Sequence, residues 1–202
     1  MIYSGLDWSG SPGAGHGPWL VLVVVHFDES DLPTLDEKLT AARALLGRPS
    51  DYPFKHVEAT VDIHRRFYAA LQDIPMQAHV HMLDKAAWRR QYGGRGSRGV
   101  DCVCDGIITL LMRCPVELTT DQILYLDLPR NEGKIIEHYR TAIRRAMRGA
   151  KRGTFRHVKA RPDHRRDGAI ILVADMLAGE VNVRQGLSGE YLPRLGSRVC
   201  LV

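Results

Sequence analysis

Met1-Ile2-Tyr3-Ser4-Gly5-Leu6-Asp7-Trp8-Ser9-Gly10-Ser11-Pro12-Gly13 opens the chain, and its reading decides the fold. Ile2, Tyr3 and Leu6 are strand formers, and the run closes with the turn-like composition Asp-Trp-Ser-Gly-Ser-Pro-Gly. The pattern predicts a first strand ending at Asp7, which leaves a carboxylate where the chain reverses. A turn Asp often bonds its own backbone, so Asp7 alone marks no site. Its meaning changes because later strands and a late helix deliver further lone carboxylates to comparable places. A strand that begins at the first Met also leaves no segment for a signal peptide.

Outward from this stretch, Pro18 to Phe27 is Val-rich and continuous, as expected of a central strand. The Gly/Ser/Pro run Ser9 to Gly17 makes it the second arm of a wide hairpin. A helix follows: Thr34 and Glu37 have capping-box spacing, Leu35, Leu39, Ala42, Leu45 and Leu46 form a stripe, and Gly47 with Pro49 stops it. Tyr52 to Val57 reads as a third strand, with Glu58 at its junction with a helix from Val61 to Asp73. Met76 to Leu83 reads as a fourth strand ending in Asp84, and the intervening helix suggests a parallel crossover. Gln91 to Gly99 is a loop without the Gly-Lys-Ser/Thr ending of a phosphate-binding loop. Asp101 to Arg113 then forms a helix, and Gln122 to Leu128 a fifth strand with Asp127 at its end. Glu132 to Arg148 is a helix with a basic face, Thr154 to Ala160 a polar edge strand, and Ala169 to Val183 the last helix. The tail after Gly186 carries no pattern.

With 202 residues, 45% hydrophobic and 25% charged, the chain has ordinary globular composition and the length of a single domain, 1–202. Trp19 to Val25 is the longest apolar run and is far too short to span a bilayer. Four cysteines without a regular framework suit reduced thiols and a cytoplasmic protein. Cys102, Cys104 and Cys114 lack closed zinc spacing and read as core thiols, and His79 and His81 as sheet-packing or surface residues. The formal charge is +5, and ten Lys or Arg residues fall between Arg144 and Arg166. Such a stretch suits a polyanion, because a cation placed on a phosphate releases counterions. The expected contacts to nucleic acid are Arg145, Lys151, Arg152, Lys159, Arg161, His164 and Arg165.

Asp175 is the most informative single residue. It sits among Ile171, Ala174, Leu177, Ala178 and Val181 on the packing side of the last helix, where an uncompensated charge is costly. A buried salt bridge is one compensation; a divalent cation shared with other carboxylates is the other. In a sheet with parallel strands, sites form beyond the carboxyl ends of those strands. Asp7, Asp84, Asp127 and Glu58 are all expected near such ends. Four or five carboxylates binding two Mg2+ or Mn2+ ions would activate a water and stabilise a leaving oxygen, chemistry apt for a phosphodiester.

Leu6-Asp7-Trp8-Ser9-Gly10-Ser11-Pro12-Gly13 and Ala174-Asp175-Met176-Leu177-Ala178-Gly179 resemble the two end motifs of the family called domain of unknown function 3800. Glu58, Asp84-Lys85 and Asp127 fall where that family has its middle motifs. The resemblance implies an α/β, ribonuclease H-like three-layer fold: a central mixed sheet of about five or six strands, flanked by helices and carrying an acidic metal cluster. It also implies an order of acids like that of ribonuclease H, in which either Asp84 or Asp127 is the third ligand. Trp8 stands where the family usually has an acid, Asp163 is followed by His164 and Arg165 instead of Ser-Lys, and Leu172 replaces a common Gln. These departures bear on substrate contacts and leave the ligands intact. The expectation is a metal-dependent nuclease or phosphodiester hydrolase acting on DNA or RNA, catalysed by Asp7, Glu58, Asp127 and Asp175 with Mg2+ or Mn2+. No membrane partner is expected, and the oligomeric state is left open, a homodimer included. Two rivals are a non-catalytic nucleic-acid- or partner-binding module of the same fold, and a hydrolase of small phosphorylated molecules.

Overall fold

The first two strands, β1 (Ile2–Ser9) and β2 (Trp19–Asp28), pair antiparallel as a hairpin, with Asp7 opposite Val23. This is a computed structural model, and it describes residues 1–12, 17–92, 99–115, 123–126, 133–149, 155, 157–160 and 167–202. β2 is buried along nearly its whole length, which is why it shows no polar alternation. Its Val21, Val23, Val25 and Phe27 face one core layer, and Leu20, Leu22 and Val24 face the other. The remaining elements are α1 (Leu32–Leu45), α2 (Val61–Leu71), β3 (Gln77–Asp84), α3 (Lys85–Tyr92), α4 (Gly99–Arg113), β4 (Ile123–Leu126), α5 (Gly133–Gly149), β5 (His157–Ala160), α6 (Asp167–Arg184) and β6 (Val199–Leu201). The sheet order is β5-β4-β1-β2-β3-β6. Only β2 runs against the others, so five strands send their carboxyl ends to one edge. Helices α1, α2 and α6 cover one face, and α4 and α5 cover the other.

Two expected features differ. Tyr52 to Val57 is not a strand. Its Phe54 is fully buried against Phe67, 5.1 Å away, with the Arg43 guanidinium 5.2 Å from its ring. The Tyr52 carbonyl accepts from Arg43 Nε at 2.9 Å, so this backbone is satisfied by a side chain and not by a sheet neighbour. The chain then turns through the short 3-10 helix His56–Glu58 into α2. The second difference follows from the first: without a strand at Tyr52 to Val57 the expected parallel crossover through α2 does not form, and β3 pairs antiparallel with β2. Two helices, α1 and α2, join these strands, and an out-and-back pair returns the chain to the edge it left.

The tail supplies an element that carried no pattern in the sequence. A 3-10 stretch, Leu192–Arg198, leads into β6, which pairs parallel with β3. Arg198 holds it there by donating to the carbonyls of Leu71, Gln72, Ile74 and Leu195 at 2.7 to 3.1 Å. Among the described residues, no helix is long and apolar enough to cross a membrane.

Candidate active site

Asp7 lies inside β1, two residues before its end, not at the strand end. The strand continues because Trp8 pairs with Leu22 and packs on Tyr139 at 5.4 Å on the α5 side. Strand alternation then turns Gly5, Asp7 and Ser9 toward α6. Asp7 is 8% exposed, and its Oδ1 accepts the Trp8 backbone N–H at 2.8 Å.

Two contacts fix how α6 lies on β1. A Cβ on Gly5 would stand 2.7 Å from Ile170 Cγ2, so glycine is what allows the helix this close. Further along, Asn182 Nδ2 donates to Ser9 Oγ at 3.1 Å. Helix and strand therefore run in the same direction. Asp7 is two strand residues past Gly5, about 7 Å. Asp175 is five helical residues past Ile170, about 7.5 Å. By these rises the backbones at Asp7 and Asp175 are about level along the shared axis. Asp175 and Asn182 are seven residues apart, one stripe of the helix, and Asn182 reaches β1. The sheet and helix thus bring the first and last of the expected acids to one side of the molecule.

The 3-10 helix His56–Glu58 is the third component. The His56 backbone N–H donates to Asp175 Oδ2 at 2.9 Å. A side chain on Gly179 would collide with the His56 ring, so a glycine one turn after Asp175 is required for this contact. Glu58 is exposed at the end of the same 3-10 helix. Behind it, the buried Glu180 faces His56 Nε2 at 3.5 Å and His64 Nδ1 at 3.6 Å, and accepts from Arg184 Nε at 3.1 Å. Burial, and then the neighbouring His56, hold the His64 imidazole below its ordinary value.

Asp84 has a different position and use. Val80 on β3 is the residue level with Val23 and hence with Asp7. Asp84 lies four residues beyond it, about 13 Å, and two strands away, about 10 Å. Its Oδ1 accepts the N–H groups of Ala86 at 2.8 Å and Ala87 at 3.0 Å, which caps α3. Those bonds, the one from Ala87 foremost, hold the carboxyl below its usual range. Asp127 lies outside the described residues. The preceding residue, Leu126, ends β4 in register with Leu6.

Of the expected phosphate contacts, Lys151, Arg152, Arg161, His164 and Arg165 lie outside the described residues. Lys159 is on β5, in register with Tyr125. Arg145 is exposed on α5 and borders a cleft with Asp101, Asp105 and Glu137, on the face opposite α6. Three polar residues stand near the acids; Ser9 and Lys85 belong to the stretches that carry the family resemblance, and Asn182 does not. Ser9 and Asn182 form one pair, and buried Lys85 donates from Nζ to the Ser11 carbonyl at 3.1 Å. The available signals were alternation from Asp7 to Ser9 and the seven-residue step from Asp175 to Asn182.

No family model matches the chain, and no curated relative does. Solved structures do resemble it. The ribonuclease HII of Archaeoglobus fulgidus, solved with PCNA, aligns at a TM-score of 0.56 with 12% identity over 91% of this chain and 74% of that one. Ribonuclease H2 from Pyrococcus horikoshii OT3 aligns at 0.57 with 16% identity, over 91% and 73%. Bst-RNase HIII, solved in complex with Mn2+, aligns at 0.51 with 12% identity, over 98% and 63%. At such identities the likeness concerns the fold. The chain has a ribonuclease H-like α/β fold, a mixed six-stranded sheet between two helical layers.

Proposed function

We propose that the chain is a divalent-metal-dependent nuclease in which Asp7 and Asp175 are the centre of a carboxylate set completed by Glu58 and Asp127. The observation that carries this reading is the close, same-direction packing of α6 on β1, with Asp175 level with Asp7. All-oxygen donors suit Mg2+ or Mn2+. Such ions, when bound there, activate a water and stabilise a leaving oxygen. The chain's own part is to hold the donors. The His56 N–H orients Asp175, β1 fixes Asp7, and Glu58 rides on the same 3-10 helix as His56. Asp127 follows Leu126, the neighbour of Leu6, whereas Asp84 is used to cap α3; this favours Asp127 as the third ligand. The likeness to ribonucleases HII and HIII, one of them solved with Mn2+, supports a nucleic-acid substrate and that class of ion. The basic residues from Arg144 to Arg166 are assigned to its phosphates.

The test is cleavage of labelled RNA/DNA hybrid, duplex and single-stranded substrates with Mg2+ or Mn2+. Loss of groups that merely orient ligands costs about 10–100-fold, so Asp7→Asn and Asp175→Asn should each lose about 100-fold or more. Unchanged activity in Asp175→Asn refutes the assignment.

A second reading has one observation in its favour: both carboxylates already accept backbone N–H bonds, from Trp8 and His56. A binding module that does no chemistry would use them structurally. It would show salt-sensitive nucleic-acid binding without cleavage, and no thermal stabilisation by Mg2+ or Mn2+.

A further inference from the structure

On the other face of the sheet, on β2 and β3 beside β1, lies a cluster of nitrogen and sulfur donors unlike the carboxylates in charge and chemistry. We infer that His26, His79 and Cys114 form a binding site for a zinc-class divalent cation, separate from the carboxylates near Asp7. One imidazole nitrogen from each histidine and the Cys114 sulfur lie within 4.8 Å of one another, and all three residues are buried.

The strands dictate this meeting. His26 follows Leu20, Leu22 and Val24 in the row of β2 that faces α4, and it is paired with Ser4 of β1. His79, on the neighbouring strand, is opposite Val24 and turns to the same face, with its ring 5.6 Å from that of His26. Cys114 directly follows α4, and its N–H bonds the Leu110 carbonyl at 3.1 Å, so its place is fixed by the helix end. Sequence spacing cannot show such a set, because its members come from β2, β3 and the end of α4.

The hydrogen bonds also leave one ring nitrogen of His26 without a partner among the described residues. His26 Nδ1 lies 2.8 Å from Ser4 Oγ. With the ring proton assigned to Nδ1, the Nε2 lone pair is the free one. That Nε2 is buried and makes no hydrogen bond among the described residues. An acceptor buried in an apolar layer without a donor is costly, and a cation that takes the lone pair removes the cost. His79 Nδ1 lies 3.1 Å from Cys200 Sγ, so its ring too is oriented from behind, as ligating imidazoles commonly are. Neutral imidazoles and a thiolate suit Zn2+ and not Mg2+. On binding, the Cys114 thiol releases its proton to solvent and the sulfur takes the metal. The ion would tie β2, β3 and α4 together, a link independent of catalysis.

The experiment uses the full chain, stripped by a chelator and titrated with Co2+ and then Zn2+. One equivalent of Co2+ should give a thiolate-to-cobalt charge-transfer band that one equivalent of Zn2+ abolishes while raising Tm. The band should vanish in Cys114→Ser and persist in Asp7→Asn. If Cys114→Ser does not fold, X-ray absorption at the zinc edge of the wild-type protein decides, with two nitrogens and one sulfur expected. No band in the wild type, a band that survives in folded Cys114→Ser, or an all-oxygen zinc shell overturns the assignment.

Discussion

A carboxylate can serve a fold or a reaction, and the hydrogen bonds it accepts separate the two uses. Asp84 gives both accepting contacts to the first turn of α3. Asp84→Ala is therefore expected to lower Tm, because Ala86 and Ala87 lose their cap, while leaving metal-dependent cleavage unchanged. The pH dependence follows from the lowered carboxyl value. A group held low stabilises the fold above its unfolded value, and that contribution disappears as pH falls through the folded one. The Tm gap between wild type and Asp84→Ala should thus close in acid, which a thermal melt series below neutral pH checks. His64 is also held low, by burial first and His56 second. Its contribution is complete above about pH 6.5 and is lost as pH falls below that, since the unfolded chain then takes up a proton that the folded chain resists. Between neutral pH and mild acid, Tm of His64→Leu should fall less than that of the wild type.

Among the elements, the α6–β1 contact sets the distance between the two ends of the acid set. Gly5→Ala would place a methyl 2.7 Å from Ile170 Cγ2 and 3.0 Å from its carbonyl oxygen, so the helix must shift. Overpacking of this kind costs about 1–3 kcal/mol, and cleavage should fall further than stability alone explains. Gly179→Ala acts on the other side of the helix, where it forces His56 away from Asp175; denaturant midpoints and cleavage rates read both variants. The sequence made several of these elements legible. The hairpin of β1 and β2 and the helices α1, α2, α4, α5 and α6 follow from apolar period and turn residues. Tyr52 to Val57 misled because Phe54 has strand composition, yet its burial is against Arg43 and Phe67 and not within the sheet. The end of β1 was placed early because Trp8 and Ser9 look like turn residues until Tyr139 and Asn182 are there to meet them.

For the whole molecule, closure depends on the last residues of the described chain. Arg198 bonds four carbonyls around the end of α2 and the 3-10 stretch before β6. Charged hydrogen bonds contribute about 1.5–3 kcal/mol each when buried, and this site is partly exposed. Arg198→Ala is expected to cost about 2 kcal/mol in a denaturant titration, with the acids near Asp7 undisturbed. Nothing in the periodicity of the tail announced this strand, because three residues are too few to show alternation and its anchor is a side chain reaching across the chain. The histidine and cysteine cluster was hidden for the same reason, its donors being neighbours only through strand register. The lie of α6 along β1 has a last consequence, for synthesis. The first member of the proposed acid pair, Asp7, leaves the ribosome long before its counterpart on α6 is made. A nascent polypeptide in which α6 has not yet been made cannot bring Asp175 beside β1, so the proposed carboxylate pair exists only once residue 175 has been made and α6 has docked.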